Sequence, residues 1–258
     1  MRVMEPNTSD ERIVATRGTF DAAGFASNAL ATPATLAALL DHTLLKPEAT
    51  RDQVVALCHE AAEHQFACAM VNPTWVPLAT SVLAGTGIPV GVVIGFPLGA
   101  SLSTSKRDEA REMVKMGARE LDMVLNIGMV KSGFYDQAET DIRSVVEVGR
   151  AAGAVVKVIL ETCLLSLPEK LRAAEIVIHA GADYLKTSTG FSSGGATAAD
   201  VALLRGIAGD ICGVKASGGI RTLRDARTML EAGASRIGAS ASVHIVEELN
   251  AALTTSAV

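Results

Sequence analysis

Residues 181–190 read Gly-Ala-Asp-Tyr-Leu-Lys-Thr-Ser-Thr-Gly, and residues 211–219 read Ile-Cys-Gly-Val-Lys-Ala-Ser-Gly-Gly. In each stretch a short apolar run ends in a lysine, Lys186 or Lys215, that is followed at once by small, turn-forming residues. This pattern is typical of a β-strand that leads into a tight turn. We therefore expect both lysines at the C-terminal ends of strands.

Similar apolar runs recur along the chain with helical patterns between them. They occupy residues 39–45, 67–71, 90–96, 120–126, 155–161, 183–187, 211–215 and 235–239. Many are nearly continuous, as expected for parallel strands that are covered on both faces. Capping-box-like pairs predict helix starts between the runs, at Thr50/Gln53, Ser105/Asp108, Ser166/Glu169, Thr197/Asp200 and Thr222/Asp225.

Alternating strands and helices fit either a doubly wound sheet or a closed barrel. Eight βα units in 258 residues, with no Gly-x-Gly-x-x-Gly after the first strand, favour the barrel. We predict an α/β fold with a single (β/α)8 TIM barrel over residues 36–258. Residues 1–35 are predicted to form an N-terminal extension with a helix that caps or flanks the barrel.

The bulk composition excludes several classes of function. A net charge of −5 and a pI near 5.6 give no basic field for nucleic acid or an anionic membrane. The uncharged stretch 64–105 is cut by prolines and glycines into pieces too short to cross a bilayer. The charged N-terminus argues against a secretory signal, and four cysteines without a Cys-x-x-Cys pair indicate buried reduced thiols. We expect a cytoplasmic protein without a nucleic-acid or membrane partner.

Lys186 and Lys215 are candidates for amine chemistry. A lysine held in a pocket at a strand end has a lowered pKa and attacks carbonyl groups. A second ammonium nearby lowers that pKa further through like-charge repulsion. The structural alternative is that both stems lie on apolar surface with their ammonium groups in water.

Three more charges fall inside predicted strands: Asp122, Lys157 and Asp41. A buried charge must be paired, so Asp122 and Lys157 on neighbouring strands fit a structural ion pair. The functional alternative is that Asp122 transfers a proton, with Lys157 and Asp41 as accessory groups. A Gly-Ala pair ends each of three predicted helices. Five residues after the three glycines stand Asp122, Lys186 and Gly238. We expect these three residues at similar heights in the barrel.

Small-residue turns over residues 187–190, 217–219 and 238–240 predict a phosphate site. Each exposes backbone N–H groups and hydroxyls, and phosphate sites of barrels are commonly built by the loops after strands seven and eight. Tight turns without a ligand are the alternative. The five histidines lack metal-ligand spacing, so we expect no metal and no cofactor.

The motifs together resemble the deoxyribose-phosphate aldolase family over residues 36–245. They are LDHTLLKP at 40–47, VNP at 71–73, GFPLG at 95–99, ELDMV at 120–124, KVILET at 157–162, KTSTGF at 186–191, KASGGIR at 215–221 and RIGAS at 236–240. The resemblance implies a metal-independent class I aldolase that reversibly cleaves 2-deoxy-D-ribose 5-phosphate to acetaldehyde and D-glyceraldehyde 3-phosphate, in deoxyribose catabolism. A homo-oligomer, a dimer or tetramer, is also expected.

The resemblance also implies roles for individual residues. Lys186 would form the Schiff base, Lys215 would perturb its pKa and Asp122 would transfer protons. The phosphate would bind at Thr189, Gly190, Gly218, Gly219, Gly238 and Ser240. The chain departs from the family at Met70, where relatives often carry cysteine, and in its last residues, which lack the tyrosine that some members use in proton transfer.

Two other functions fit the same residues. One is a different Schiff-base lyase, acting on a phosphorylated ketose or keto acid. The other is a protein that binds sugar phosphates without catalysis, through the same three turns.

Overall fold

A computed structural model describes residues 20–256, and its centre is a closed barrel of parallel strands. The strands are β1 (Leu40–Leu44), β2 (Cys68–Val71), β3 (Val90–Ile94), β4 (Glu120–Val124), β5 (Val155–Ile159), β6 (Tyr184–Lys186), β7 (Gly213–Ser217) and β8 (Arg236–Ala239). Each pairs with the next in sequence, and β1 pairs with β8. The predicted (β/α)8 barrel is confirmed, and the doubly wound alternative is wrong because the sheet has no free edge.

Two helices precede the first strand, and at least one helix follows each strand; together they form the outer layer. They are α1 (Ala22–Ala29), α2 (Pro33–Ala37), α3 (Arg51–His64), α4 (Val76–Val82), α5 (Ser103–Lys115), α6 (Ile127–Lys131), α7 (Tyr135–Ala152), α8 (Leu167–Ala180), α9 (Ala198–Ala208), α10 (Leu223–Glu231) and α11 (Ser242–Ser256). Short 3₁₀ turns lie at Pro73–Trp75 and Thr162–Leu164.

The main hydrophobic core lies between the strands and these helices. Val92 and Ile94 of β3 pack in it with Leu121 and Met123 of β4, all fully buried. A smaller cluster of Leu45, Cys68, Met70 and Val93, with Phe96 against it, is separate from this core. Alternate residues of one strand thus serve two different interiors, which explains the near-continuous apolar runs.

Most predicted helix starts are confirmed. Thr50 with Gln53, and Thr222 with Asp225, form reciprocal capping boxes at the starts of α3 and α10. The prediction at Ser105 is wrong, because α5 already begins at Ser103. Its N-cap is Leu102, which makes no side-chain cap.

Part of the predicted N-terminal extension lies within the described residues. Helix α1 packs against α10, and α2 packs against α11, so this segment flanks the barrel. The Arg205 guanidinium lies 3.9 Å from the centre of the Phe20 ring and links the segment to α9. Helix α2 spans the predicted boundary at residue 35, which stays a prediction, and residues 1–19 lie outside the described range. Among residues 20–256, no helix has the length and apolarity that a membrane span requires.

Candidate active site

The barrel interior holds a cluster of ionisable side chains supplied by six strands, β1 and β4 to β8. Glu120 and Asp122 lie two residues apart on β4, so their side chains share one face of the strand. The register places Asp122 beside Lys157 of β5, and Lys186 of β6 beside Lys215 of β7. The barrel therefore brings carboxylates and amines together on its axis.

Asp122 is the centre of this cluster. Its Oδ1 accepts a hydrogen bond from Lys157 Nζ at 2.8 Å. Its Oδ2 accepts from Lys186 Nζ at 2.7 Å and from Lys215 Nζ at 2.6 Å. Asp122 is fully buried, and Lys186 and Lys215 are 3% and 1% exposed. Three amines thus converge on one carboxylate that is shielded from water.

A second group of charges lies around Lys157. Lys157 also donates to Glu120, and its Nζ is 3.4 Å from Asp41 Oδ2. Asp41 Oδ2 accepts from Lys215 as well, while Arg236 lies 3.3 Å from Asp41 Oδ1 and donates to Glu120 Oε1 at 2.7 Å. The two groups are continuous through Lys157 and Lys215.

The charges of the cluster do not balance when every group is ionised. Three carboxylates, Asp41, Glu120 and Asp122, face four cations among the described residues. The cations are Lys157, Lys186, Lys215 and Arg236. Since an uncompensated charge is costly in a dry interior, the cluster favours the loss of one proton from a lysine.

The pKa values indicate which lysine loses that proton. Burial lowers the pKa of Lys186 to about 8; Asp122 opposes this shift, and the ammonium of Lys215 adds to it. Burial also acts on Lys157, but Asp122, Asp41 and Glu120 outweigh it and raise the pKa of Lys157 well above its ordinary value. The same lysines hold the pKa of Asp122 well below its ordinary range, although burial opposes them. Lys186 is therefore the amine poised to become neutral.

A cleft of about 400 Å³ opens above the cluster at the C-terminal ends of the strands. It is lined by Thr43, Leu44, Leu45, Lys46, Lys186, Thr189, Gly190, Phe191, Lys215, Ser217, Gly218, Arg221, Gly238, Ala239 and Ser240. All three predicted small-residue turns contribute to the lining, although Gly219 is not among the lining residues. The cleft also includes two exposed cations that sequence reasoning missed, Lys46 and Arg221.

The loop between β6 and α9 is locked to the turn at residues 217–219 by glycine contacts. The Ala196 N–H donates to Gly218 O at 3.0 Å. A methyl group on Gly195 would lie 2.3 Å from that same oxygen, and one on Gly218 would lie 3.1 Å from Gly195 Cα. Gly218 also has a φ of +90°, which side-chain-bearing residues rarely adopt. Glycine is thus required here for both space and conformation.

The model of the DeoC/LacD family aldolases matches residues 35–246. The chain belongs to this aldolase family. It is therefore a carbon–carbon lyase, and the lysine cluster and its cleft lie where enzymes with this barrel build their active sites.

Individual relatives of the aldolase agree with this assignment. The deoxyribose-phosphate aldolase of Thermoanaerobacter sp. (strain X514) is 55% identical over 216 residues, which cover 83% of this chain and 97% of the relative. That of Geobacillus sp. (strain WCH70) is 53% identical over 212 residues, 82% of this chain and 95% of the relative. The structure of the tetrameric deoxyribose phosphate aldolase from Aeropyrum pernix superposes with a TM-score of 0.83 at 33% identity, over 96% of this chain and all of the other.

The aldolase brings together the predicted chemical residues. Lys186, Lys215, Asp122, Lys157 and Asp41 form one connected network. A methyl group on Gly238 would lie 3.6 Å from Lys215 Nζ. Gly238 therefore borders the network of charged side chains, as the repeated Gly-Ala pairs predict.

Sequence reasoning missed Glu120 and Arg236 in the aldolase. A usable signal was present, because each lies two residues before a predicted site residue, Asp122 or Gly238, and so on the same face of its strand. No local pattern in the sequence indicates that Glu120 and Arg236 pair with each other across the barrel.

One group of potential metal ligands occurs among the described residues of the aldolase, formed by Asp41, Cys68 and Glu120. Both carboxylates are already paired with lysine or Arg236, and burial raises the pKa of the Cys68 thiol well above its ordinary value. A divalent cation would have to displace these partners, so the residues fit a metal poorly. That the enzyme needs no metal or cofactor stays a prediction.

Proposed function

We propose that the aldolase reversibly cleaves 2-deoxy-D-ribose 5-phosphate to acetaldehyde and D-glyceraldehyde 3-phosphate through a Schiff base on Lys186. The observation that carries this proposal is a buried lysine with a pKa of about 8 at the floor of a cleft rimmed by three phosphate-type turns. Identity of 53–55% to curated deoxyribose-phosphate aldolases supports the choice of substrate.

The first step is imine formation. Neutral Lys186 Nζ attacks C1 of the open-chain sugar, and loss of water leaves a protonated imine. At pH 7 an amine with a pKa of about 8 is neutral in roughly one molecule in eleven, whereas at the ordinary pKa the fraction is about one in 3,000. Burial therefore accounts for most of the increase in the neutral, nucleophilic form of Lys186.

The second step breaks the C2–C3 bond, which separates a two-carbon fragment from a three-carbon fragment. The bonding electrons flow to the imine nitrogen and give an enamine, while the C3 hydroxyl loses its proton and becomes the aldehyde of glyceraldehyde 3-phosphate. The Asp122 carboxylate, which Lys157 and Lys215 hold in place, accepts this proton and later returns it to C2 of the enamine. Protonation of the enamine at C2 and hydrolysis of the imine then release acetaldehyde.

Phosphate binding holds the end of the substrate that is far from Lys186. The turns at Gly190, Gly218 and Gly238–Ser240 lie on the same cleft as Lys186, so a phosphate held there fixes the sugar along the line from C5 to C1. Backbone N–H groups are suited to this task because the protein carries a net negative charge.

Assembly and location are part of the same proposal. We infer a homo-oligomer, for which the tetrameric relative from Aeropyrum pernix is the support. We infer the cytoplasm as its location because all four cysteines are reduced thiols. Three of them are buried as expected, whereas Cys163 is exposed, contrary to the expectation.

Reductive trapping tests the assignment. Borohydride added with acetaldehyde is expected to fix a two-carbon adduct on the peptide that contains Lys186, and Lys186→Arg should abolish both adduct and turnover. Lys131→Met, which changes a half-exposed lysine paired with Glu169, is the control and should be trapped normally. An adduct on another lysine would overturn the assignment. Efficient use of ketone donors would instead favour a ketose or keto-acid lyase.

A further inference from the structure

Glu161 is a buried carboxylate that the mechanism above does not use. It follows β5 at the active-site end of the barrel and is 1% exposed. Its backbone is left-handed, with φ 55° and ψ 62°, a conformation that costs a residue with a side chain about 1 kcal/mol or more. A glycine would adopt this backbone conformation freely. The benefit of a glutamate at this position must therefore come from its side chain.

The hydrogen bonds that reach this carboxylate come mainly from one residue of the next loop. The Thr189 N–H lies 3.3 Å from both Oε1 and Oε2, and the Thr189 hydroxyl donates to Oε2. Cys163 Sγ lies 3.9 Å from Oε1. The Glu161 carboxylate therefore holds Thr189 in place.

Thr189 passes this constraint to the cleft. Its hydroxyl oxygen accepts a hydrogen bond from the Phe191 N–H at 3.0 Å, so both residues that flank Gly190 are fixed. Phe191 is fixed from its other side by an edge-on contact with Phe96, with ring centres 5.2 Å apart. Thr189, Gly190 and Phe191 all line the cleft, whereas Glu161 lies behind them.

The same bonds limit what Thr189 can offer to a ligand. Its N–H and its hydroxyl proton are both directed at Glu161, which leaves neither for a phosphate oxygen. An unscreened carboxylate next to a phosphate would repel it, so the threonine also separates the two negative groups.

We propose that Glu161 is a positioning residue for phosphate recognition: through the Thr189 hydroxyl it holds the Thr189–Phe191 segment so that Gly190 presents its backbone to the phosphate. This inference rests on the proposed function and deepens it. Thr189 shapes the loop and is not itself a phosphate donor.

The experiment compares 2-deoxy-D-ribose 5-phosphate with unphosphorylated 2-deoxy-D-ribose. In Glu161→Gln and in Thr189→Val, the ratio of kcat/KM for the two sugars should fall about tenfold, the effect of one lost hydrogen bond to a charged group, mainly through KM of the phosphorylated sugar. Thr189→Ser keeps the hydroxyl and should restore most of the ratio. Glu175→Gln removes a half-exposed carboxylate and is the matched control.

Each outcome decides the proposal. A fall in the ratio, with the rate of acetaldehyde trapping on Lys186 within about twofold of wild type, supports it. Equal losses with both sugars, with the ratio unchanged, would show a merely structural role and overturn it. If Glu161→Gln does not fold, the Val and Ser variants at Thr189 make the same comparison, and equal ratios in these two would also overturn it. Failure of trapping in the wild-type enzyme would refute the Schiff-base proposal separately.

Discussion

Lys215 and Lys186 donate to the same oxygen, Oδ2 of Asp122, over 2.6 and 2.7 Å. Two ammonium groups on one acceptor repel each other, and the repulsion falls when either one loses its proton. Burial, together with this repulsion, lowers the pKa of Lys186 to about 8.

The pH profile of imine formation should report this repulsion. Burial, aided by Lys215, lowers the pKa of Lys186 to about 8, so the trapping rate with acetaldehyde should rise with pH and level off above about 8. In Lys215→Met the repulsion is lost, and the inflection should move upward by about one pH unit or more. An unshifted inflection would remove Lys215 from this role. Lys131→Met should keep the wild-type profile.

The buried pair of Lys106 and Asp141 is predicted to stabilise the fold without taking part in catalysis. Lys106 Nζ donates to Asp141 Oδ2 at 2.6 Å and to Val124 O at 2.9 Å, with both side chains fully buried. Asp141→Asn leaves the lysine charge without its partner and should lower the free energy of unfolding in urea by about 3–5 kcal/mol. Lys115→Met breaks an exposed pair and should cause little change. Equal effects of the two variants would contradict the prediction.

Two glycine substitutions should act in opposite directions. Gly195→Ala places a methyl group against Gly218 O, and the overpacking should cost about 1–3 kcal/mol of stability and weaken binding of the phosphorylated sugar. Gly206 lies on the exposed face of α9 with open space around it. Gly206→Ala should therefore raise stability by about 0.5–1 kcal/mol. Thermal unfolding and KM would check both, and a stable, fully active Gly195→Ala enzyme would disprove the tight contact.

Chelation should leave the enzyme active. The carboxylates of Asp41 and Glu120 are held by Lys215, Lys157 and Arg236, so the cluster can work on amine chemistry alone. Dialysis against EDTA, followed by assay with and without added divalent cations, measures this. Loss of most of the activity on chelation, with recovery on adding metal, would show that one of these carboxylates binds an ion.

The fold followed from local patterns because each βα unit repeats the same physical signals. Continuous apolar runs located all eight strands, and small residues after Lys186 located the C-terminal end of β6. The same expectation for Lys215 was wrong, because β7 continues through Ala216 to Ser217. The helix start near Ser105 was misplaced because a capping pattern also occurs by chance one turn inside α5. Local signals are strong where they are repeated and weak where they stand alone.

The site was only partly predictable for a different reason. Strand order places Asp122, Lys186 and Lys215 together, and the sequence contains that order. The bond between Arg236 and Glu120 spans the barrel interior, and the fit of Gly195 on Gly218 joins two loops. Such contacts depend on how the barrel closes, which no local stretch of sequence encodes.

The lowered pKa of Lys186 also makes this lysine a handle for selective labelling. Near neutral pH its unprotonated fraction exceeds that of a lysine with an ordinary pKa by roughly 300-fold, and it faces a cleft open to small molecules. Lys157, fully buried on the neighbouring strand β5, keeps its proton far more firmly. A compact acylating probe would thus modify Lys186 before the other lysines, and the amount of probe needed to abolish activity would count functional enzyme molecules in a preparation.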